Sequence, residues 1–262
     1  MFWRTDPSAG DCVVRATSCW LILALAGCSE SLPPLPEVSF ETFAPADQSR
    51  VRSAYDRANA NPLSPAAVEG LGKTLFAHGR PESAAACFER CLALDPQGFA
   101  CAYLLGVARS DQGLLVEARA AFERAEGIQW RDIPTSVRLV DLLTQAGELE
   151  RARDILERVL RMEPSSAAAN YRLGTILQDD PDRAIRHLEA AVRTAPGYRD
   201  ALRSLAAALR QAGRTAEAEE VDARFEQADP EPRRYYQDPL VDALEALRPG
   251  RTEPQPSSPD AL

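Results

Sequence analysis

Between residues 47 and 248 the apolar positions follow a helical spacing, and the arrangement itself recurs. Gly79, Gly113 and Gly147 stand 34 residues apart, and so do Ala84, Ala118 and Ala152. Self-similarity at a fixed period of this length marks a stack of repeated supersecondary units. Ahead of each glycine runs one apolar stretch, such as Leu71-Gly72 or Leu105-Gly106, and behind it a second, such as Phe88 with Cys91 or Phe122 with Ala125. A glycine between two such stretches can take the left-handed conformation that closes the first helix. Proline is disfavoured inside a helix, and Pro96, Pro164, Pro196 and Pro230 fall where the second one ends. Each unit is therefore predicted to be a helix hairpin. Five units stay in register: 65–98, 99–132, 133–166, 167–198 and 199–232. The third has Val140 where the others have a small residue, and the fourth has lost two residues near Asp180-Pro181. No hairpin buries its apolar face alone, so the five are expected to share one continuous core.

The flanks fit a stack with two covered ends. Residues 47–64 are predicted to hold an N-terminal capping helix, capped by Asp47, with Val51, Ala54, Tyr55 and Ala58 on the face toward the first unit. Residues 233–248 are predicted to hold a C-terminal capping helix, which starts at Asp238-Pro239 and carries the stripe Leu240, Val241, Leu244 and Leu247. From 249 to 262 the chain is rich in Pro, Ser, Thr and acid, a composition that does not fold.

Composition points the same way. The 262 residues are 45% hydrophobic but only 6% aromatic, and the central part is dominated by Ala, Leu, Arg and Glu, so the fold class is all-α. The net charge of −9, with Lys73 the single lysine and no basic run, argues against nucleic acid as a partner.

The N-terminus carries a different signal. Cys19 to Gly27 is an uncharged apolar stretch of nine preceded by Arg15, the length of a secretory h-region and well short of the ~20 residues a spanning helix needs. It ends in Leu25-Ala26-Gly27-Cys28, which resembles the lipobox of bacterial prolipoproteins. The resemblance implies a signal peptide over 1–27, lipidation of Cys28 and a periplasm-facing protein anchored in the cell envelope. Ser29 at the following place implies the outer membrane by the enterobacterial sorting rule. Residues 28–46, with Pro33, Pro34 and Pro36, are read as a semi-rigid tether that stands the folded part off the bilayer.

The 34-residue units resemble the tetratricopeptide repeat, on Leu71-Gly72, Gly79, Ala84, Phe88 and Pro96 in the first unit and their counterparts in the other four. The resemblance implies a right-handed α-solenoid whose first helices line a concave face that binds a peptide or protein. The family's groove-facing places fall on Lys73, Phe76, Tyr103, Val107, Asp111, Asp141, Gln145, Tyr171, Gln178, Arg203 and Arg210, with Glu69, Val137 and Thr175 beside them. Tyr103 and Tyr171 equally suit packing between neighbouring helices.

Chemistry-bearing residues are sparse. His78 and His187 lie in different units with no metal-ligand spacing. Cys91 takes a small buried place, and a disulfide from Cys87 or Cys91 to Cys101 on the next helix is open. No phosphate-cradling loop or nucleophile motif is present, so neither a cofactor, a metal nor an enzyme activity is expected. The sequence thus reads as a membrane-tethered interaction scaffold of the bacterial envelope, or as a non-catalytic accessory subunit that docks an envelope enzyme or assembly complex.

Overall fold

The computed structural model describes residues 32–177, 179–230 and 234–249. The signal-peptide reading of 1–27, Cys28, Gln178 and the tail beyond 249 lie outside the described residues. Helix α1 (Pro45–Ala60) precedes five hairpins: α2 (Pro65–Ala77) with α3 (Pro81–Leu94), α4 (Phe99–Asp111) with α5 (Leu115–Ile128), α6 (Ile133–Gln145) with α7 (Leu149–Met162), α8 (Ala167–Ile176) with α9 (Pro181–Thr194), and α10 (Arg199–Gln211) with α11 (Thr215–Gln227). A final helix, α12, spans Pro239–Ala246. From α1 to α11 each helix packs on the one before it, which makes the chain an all-α solenoid.

The turn chemistry repeats with the period. Gly113 adopts φ 75°, and Leu114 N–H reaches back to Arg109 O at 2.9 Å, the closing bond of a helix that ends on a left-handed residue. The same bond recurs at Arg80, Glu148 and Arg214, each just after a glycine of like φ. The fourth unit lacks that glycine. There α8 stops after ten residues, and the Asp180 carboxylate caps α9 by accepting from Arg183 N at 3.1 Å.

Within a hairpin the helices touch through the small residue of the first. A Cβ on Gly106 would sit 2.6 Å from the Phe122 ring, and one on Gly174 would sit 2.6 Å from Leu188. The core divides into two clusters. The larger runs from Phe43 and α1 to Leu177 and Ala184, and the smaller from Ala167 and Ile185 to Val221. The border follows the shortened α8–α9 hairpin.

Three sequence expectations need correction, and one left open is settled. Asp47 lies in the first turn of α1 rather than at its N-cap, because Pro45 starts the helix and Ala44 takes the cap position. The carboxylate faces His78 Nε2 at 3.5 Å instead. The proline-rich segment is not a free spacer from residue 32 onward. Leu35, Val38 and Phe40 pack on the core, and the buried Arg90 donates to Pro33 O at 2.5 Å and Pro62 O at 2.7 Å. Prolines supply carbonyl acceptors without N–H groups that would themselves need partners. Of the two disulfides left open, the one formed is Cys91–Cys101, while the buried Cys87 stays a thiol whose pKa burial pushes up to about 12. Finally, α12 does not close the last unit: it packs on α2 and α4, at the other end of the array.

These contacts set opposite outcomes for two glycines. Gly106→Ala should lower the melting temperature, since overpacking typically costs about 1–3 kcal/mol, or about 2–4 °C per kcal/mol in a protein of this size. Gly127→Ala, in α5 with nothing within 4 Å of the new methyl, should leave it unchanged or raise it slightly. Thermal unfolding by circular dichroism distinguishes them, and equal shifts for both would remove the close approach as the reason for Gly106.

Candidate functional site

The face lined by the first helices is not open. After α11 the chain turns back, and residues 234–248 run along this face toward α1. At the near end Tyr235 stacks on Tyr198, ring centroids 3.8 Å apart, and donates from its hydroxyl to Gly197 O at 2.8 Å. Tyr198 in turn meets Tyr171 at 4.8 Å. Tyr236 follows, within electrostatic reach of Arg138 and Arg172, and burial raises its pKa. Asp238 comes next. Beyond it Leu240, Val241 and Leu244 join the larger core cluster, and Arg50 of α1 donates to Leu247 O at 3.3 Å.

Asp238 is the polar centre of the site. It is 1% exposed, and so is Tyr103 on α4. The Tyr103 hydroxyl donates to Asp238 Oδ2 at 2.5 Å and accepts from Arg138 Nε at 2.8 Å, while Arg138 NH2 stands 3.3 Å from the same carboxylate oxygen. The other oxygen, Oδ1, accepts from Val241 N at 3.2 Å and caps α12. Burial, with Asp238 adding to it against the opposing charge of Arg138, holds the Tyr103 hydroxyl far above its ordinary pKa, so it remains a donor. Burial works against the Arg138 charge, but Tyr103, Tyr236 and Asp238 outweigh it and raise the guanidinium pKa. One unit further on, Arg172 makes a bidentate pair with Asp141 at 2.7 and 2.8 Å.

The candidate residues therefore separate into groups. Phe76, Val107 and Val137 are buried, which corrects their reading as an open lining, and the buried Tyr103 takes the packing between helices that was the other of its two readings; neighbouring helices and the returning segment cover this face. Lys73 pairs with Glu69, Asp141 with Arg172, and Tyr171 is half-buried. Asp111 lies within reach of Arg138 and Arg248, at the far end of the returning segment. Arg203 and Arg210 are exposed and pair with Asp200 and Asp222. Gln145 belongs to another surface, a cavity of about 450 Å³ with Leu115, Val116 and Arg119 of α5. Arg138, Arg172, Tyr198 and Asp238 were not anticipated as site residues. The two arginines had a visible signal, since both hold the sixth place of their units.

The remaining polar clusters have structural partners. His78 Nδ1 lies 2.8 Å from Thr74 O, and His187 Nδ1 lies 3.0 Å from Asn170 Oδ1. Burial, helped by Arg183 and Arg186, lowers the His187 pKa. Glu69 lies beside Cys91 and Cys101, but with both sulfurs in the disulfide neither presents a thiolate to a metal.

Stacked helix hairpins with a segment laid along their first helices define a repeat solenoid of the protein-binding kind. Family models described as tetratricopeptide repeat match residues 50–97, 69–133, 137–177 and 175–247, and the chain belongs to this family of interaction scaffolds. Among solved structures it is similar to residues 41 to the end of MamA from Desulfovibrio magneticus RS-1, at 19% identity and a TM-score of 0.57, over 62% of this chain and 93% of that one. It is also similar to YrrB, described as a TPR protein with an unusual peptide-binding site, at 18% identity and a TM-score of 0.58, over 69% and 94%. These likenesses concern the fold. No curated protein matches the chain.

The burial of Tyr103 sets a test of which role its ring has. Tyr103→Ala should destabilise the protein by about 3–5 kcal/mol, and Tyr103→Phe, which keeps the ring but removes a partner of both the buried carboxylate and Arg138, by about 1–3 kcal/mol. Urea unfolding measures both. A Tyr103→Ala protein as stable as the wild type would place the ring at an open surface.

Proposed function

We propose that this protein is a membrane-tethered interaction scaffold of the bacterial cell envelope, which binds a protein or peptide segment along its first-helix face. The observation that carries the reading is the groove itself, which already holds an extended turn and a short helix in the manner of a bound peptide. Helix-in-groove and extended-peptide recognition both use this combination of apolar anchors and a few placed polar groups. YrrB, with its peptide-binding site on a similar array, lends support by analogy of fold.

The envelope assignment rests on three supports. Leu25-Ala26-Gly27-Cys28 follows an h-region of secretory length, and Ser29 favours the outer membrane. The Cys91–Cys101 disulfide suits an oxidising compartment such as the periplasm. Because Pro33 is already fastened to Arg90, a lipid on Cys28 would lie no more than about 18 Å of extended chain from the array. The scaffold would then work close to the bilayer surface rather than on a long stalk.

A second reading, an accessory subunit that docks an envelope enzyme or assembly complex, is favoured by a separate surface. Leu114, Leu115 and Leu149 are partly exposed at the hairpin turns, and Val116 is 79% exposed. Apolar groups clustered in this way mark association sites.

Metabolic labelling with an alkyne fatty acid should mark the wild type and leave Cys28→Ser unmarked; equal labelling of both would end the lipoprotein reading. A photocrosslinking residue placed at Arg203, in the groove, should capture a membrane partner that one at Val116 does not. The reverse pattern would favour the docking subunit.

A further inference from the structure

We infer that the first-helix groove recognises an amphipathic helix capped by a carboxylate and led by an aromatic pair, and that residues 234–248 of the chain itself hold this site as a displaceable internal ligand. The inference rests on the groove reading above and says what the groove selects.

The returning segment behaves as a ligand and not as a repeat. Every repeat helix has ten to fourteen residues and packs on its neighbours in sequence, whereas α12 has eight and packs on α2 and α4. Its hold is narrow. Leu244 is the one residue of α12 that is fully buried, Leu240 and Val241 are partly buried, and the outward side carries Asp242, Ala243 and Ala246. A segment with so few buried anchors can leave without unfolding the array beneath it.

Selectivity comes from Asp238. A buried carboxylate is tolerated because Tyr103, Arg138 and Val241 N all serve it. An incoming segment without a carboxylate at that point would strand the Arg138 guanidinium and the Tyr103 hydroxyl, and a site built around such groups rejects ligands that leave them unpaired. A carboxylate at a helix N-cap also brings its own backbone N–H as a partner, here beside Arg234 of the same segment at 3.6 Å, which sets the position of the helix that follows. Upstream, the Tyr198 ring offers a stacking surface for an aromatic three residues before the acid, where Tyr235 now lies.

Attachment to α11 keeps the segment at an effective concentration of order mM, so a free ligand making the same contacts is held off while the chain's own copy is in place. Weakening the internal copy should therefore raise apparent affinity for an added one.

The experiment uses the full-length chain and a fluorescent synthetic peptide of residues 234–248, followed by anisotropy. Asp238→Ala in the protein, with its helical circular dichroism retained, should bind the peptide at least tenfold more tightly than the wild type. Adding Arg138→Ala should remove most of that gain, and a peptide carrying D238A should bind neither protein. Hydrogen exchange on the wild type gives an independent reading: amides of 240–247 should exchange at least a hundredfold faster than those of α4 and α6. Equal binding by wild type and Asp238→Ala, loss of the helical fold in Asp238→Ala, or exchange of 240–247 as slow as the core would each make the segment an integral part of the fold and overturn the inference. A partner crosslink at Arg203 without peptide binding sinks this inference and leaves the groove reading standing; peptide binding without that crosslink supports the groove and its selectivity and counts against the membrane partner.

Discussion

The close approach of two helices at a glycine, made in the first, second and fourth hairpins, is the constraint on which the rest of the structure depends. At Gly106 there is no room for a methyl group, because the Phe122 ring lies where it would go. The distance between the helices is thereby fixed by the smallest residue available, and interiors this dense tolerate little adjustment. With that approach made again at Gly72 and Gly174, the first helices fall into line. The face that carries Tyr103, Arg138 and Arg172 follows from it.

What closes that face is of a different kind. The repeat core falls into two clusters, separated along the hairpin whose turn lost two residues, and the returning C-terminal segment touches both. Tyr235 packs with the smaller cluster, and Leu240, Val241 and Leu244 with the larger. Whatever lies in the groove, the internal segment or a partner segment in its place, thus ties together two parts of the solenoid that share few core residues. Binding and the stiffness of the array are coupled by this arrangement, in the sense that a ligand which bridges two cooperative units stabilises both.

Much of the architecture was legible in the sequence because repeats depend on local contacts and nearest neighbours. The glycine and proline positions mark the turns, and Leu71-Gly72 and Leu105-Gly106 mark the helix crossings. The return of the C-terminal segment was not legible. Tyr103 and Asp238 are 135 residues apart, and a single long-range hydrogen bond has no period to reveal it. The apolar stripe of α12 showed that the helix would be covered without showing by what. Tyr103 looked equally suited to ligand and to core, and in this structure its ring packs with Phe99 and Phe122 while its hydroxyl serves the returning segment. The prolines near residue 33 misled in a similar way. They announced a chain without helix, which residues 32–39 are, but Leu35 and Val38, with Arg90 holding Pro33 O, fasten it to the array.

The return of the C-terminal segment along the first helices to α1 is tested by a single distance. Nitroxide labels on cysteines introduced at Ser49 and Ala246, measured by double electron–electron resonance on the full-length protein, should give a main peak no longer than a fourteen-residue helix, about 21 Å. A C-terminal helix packed on α11 as the cap of the fifth unit would put the labels at least five helix spacings apart, about 40–50 Å. A distribution centred there, with no short component, would contradict the return of the segment.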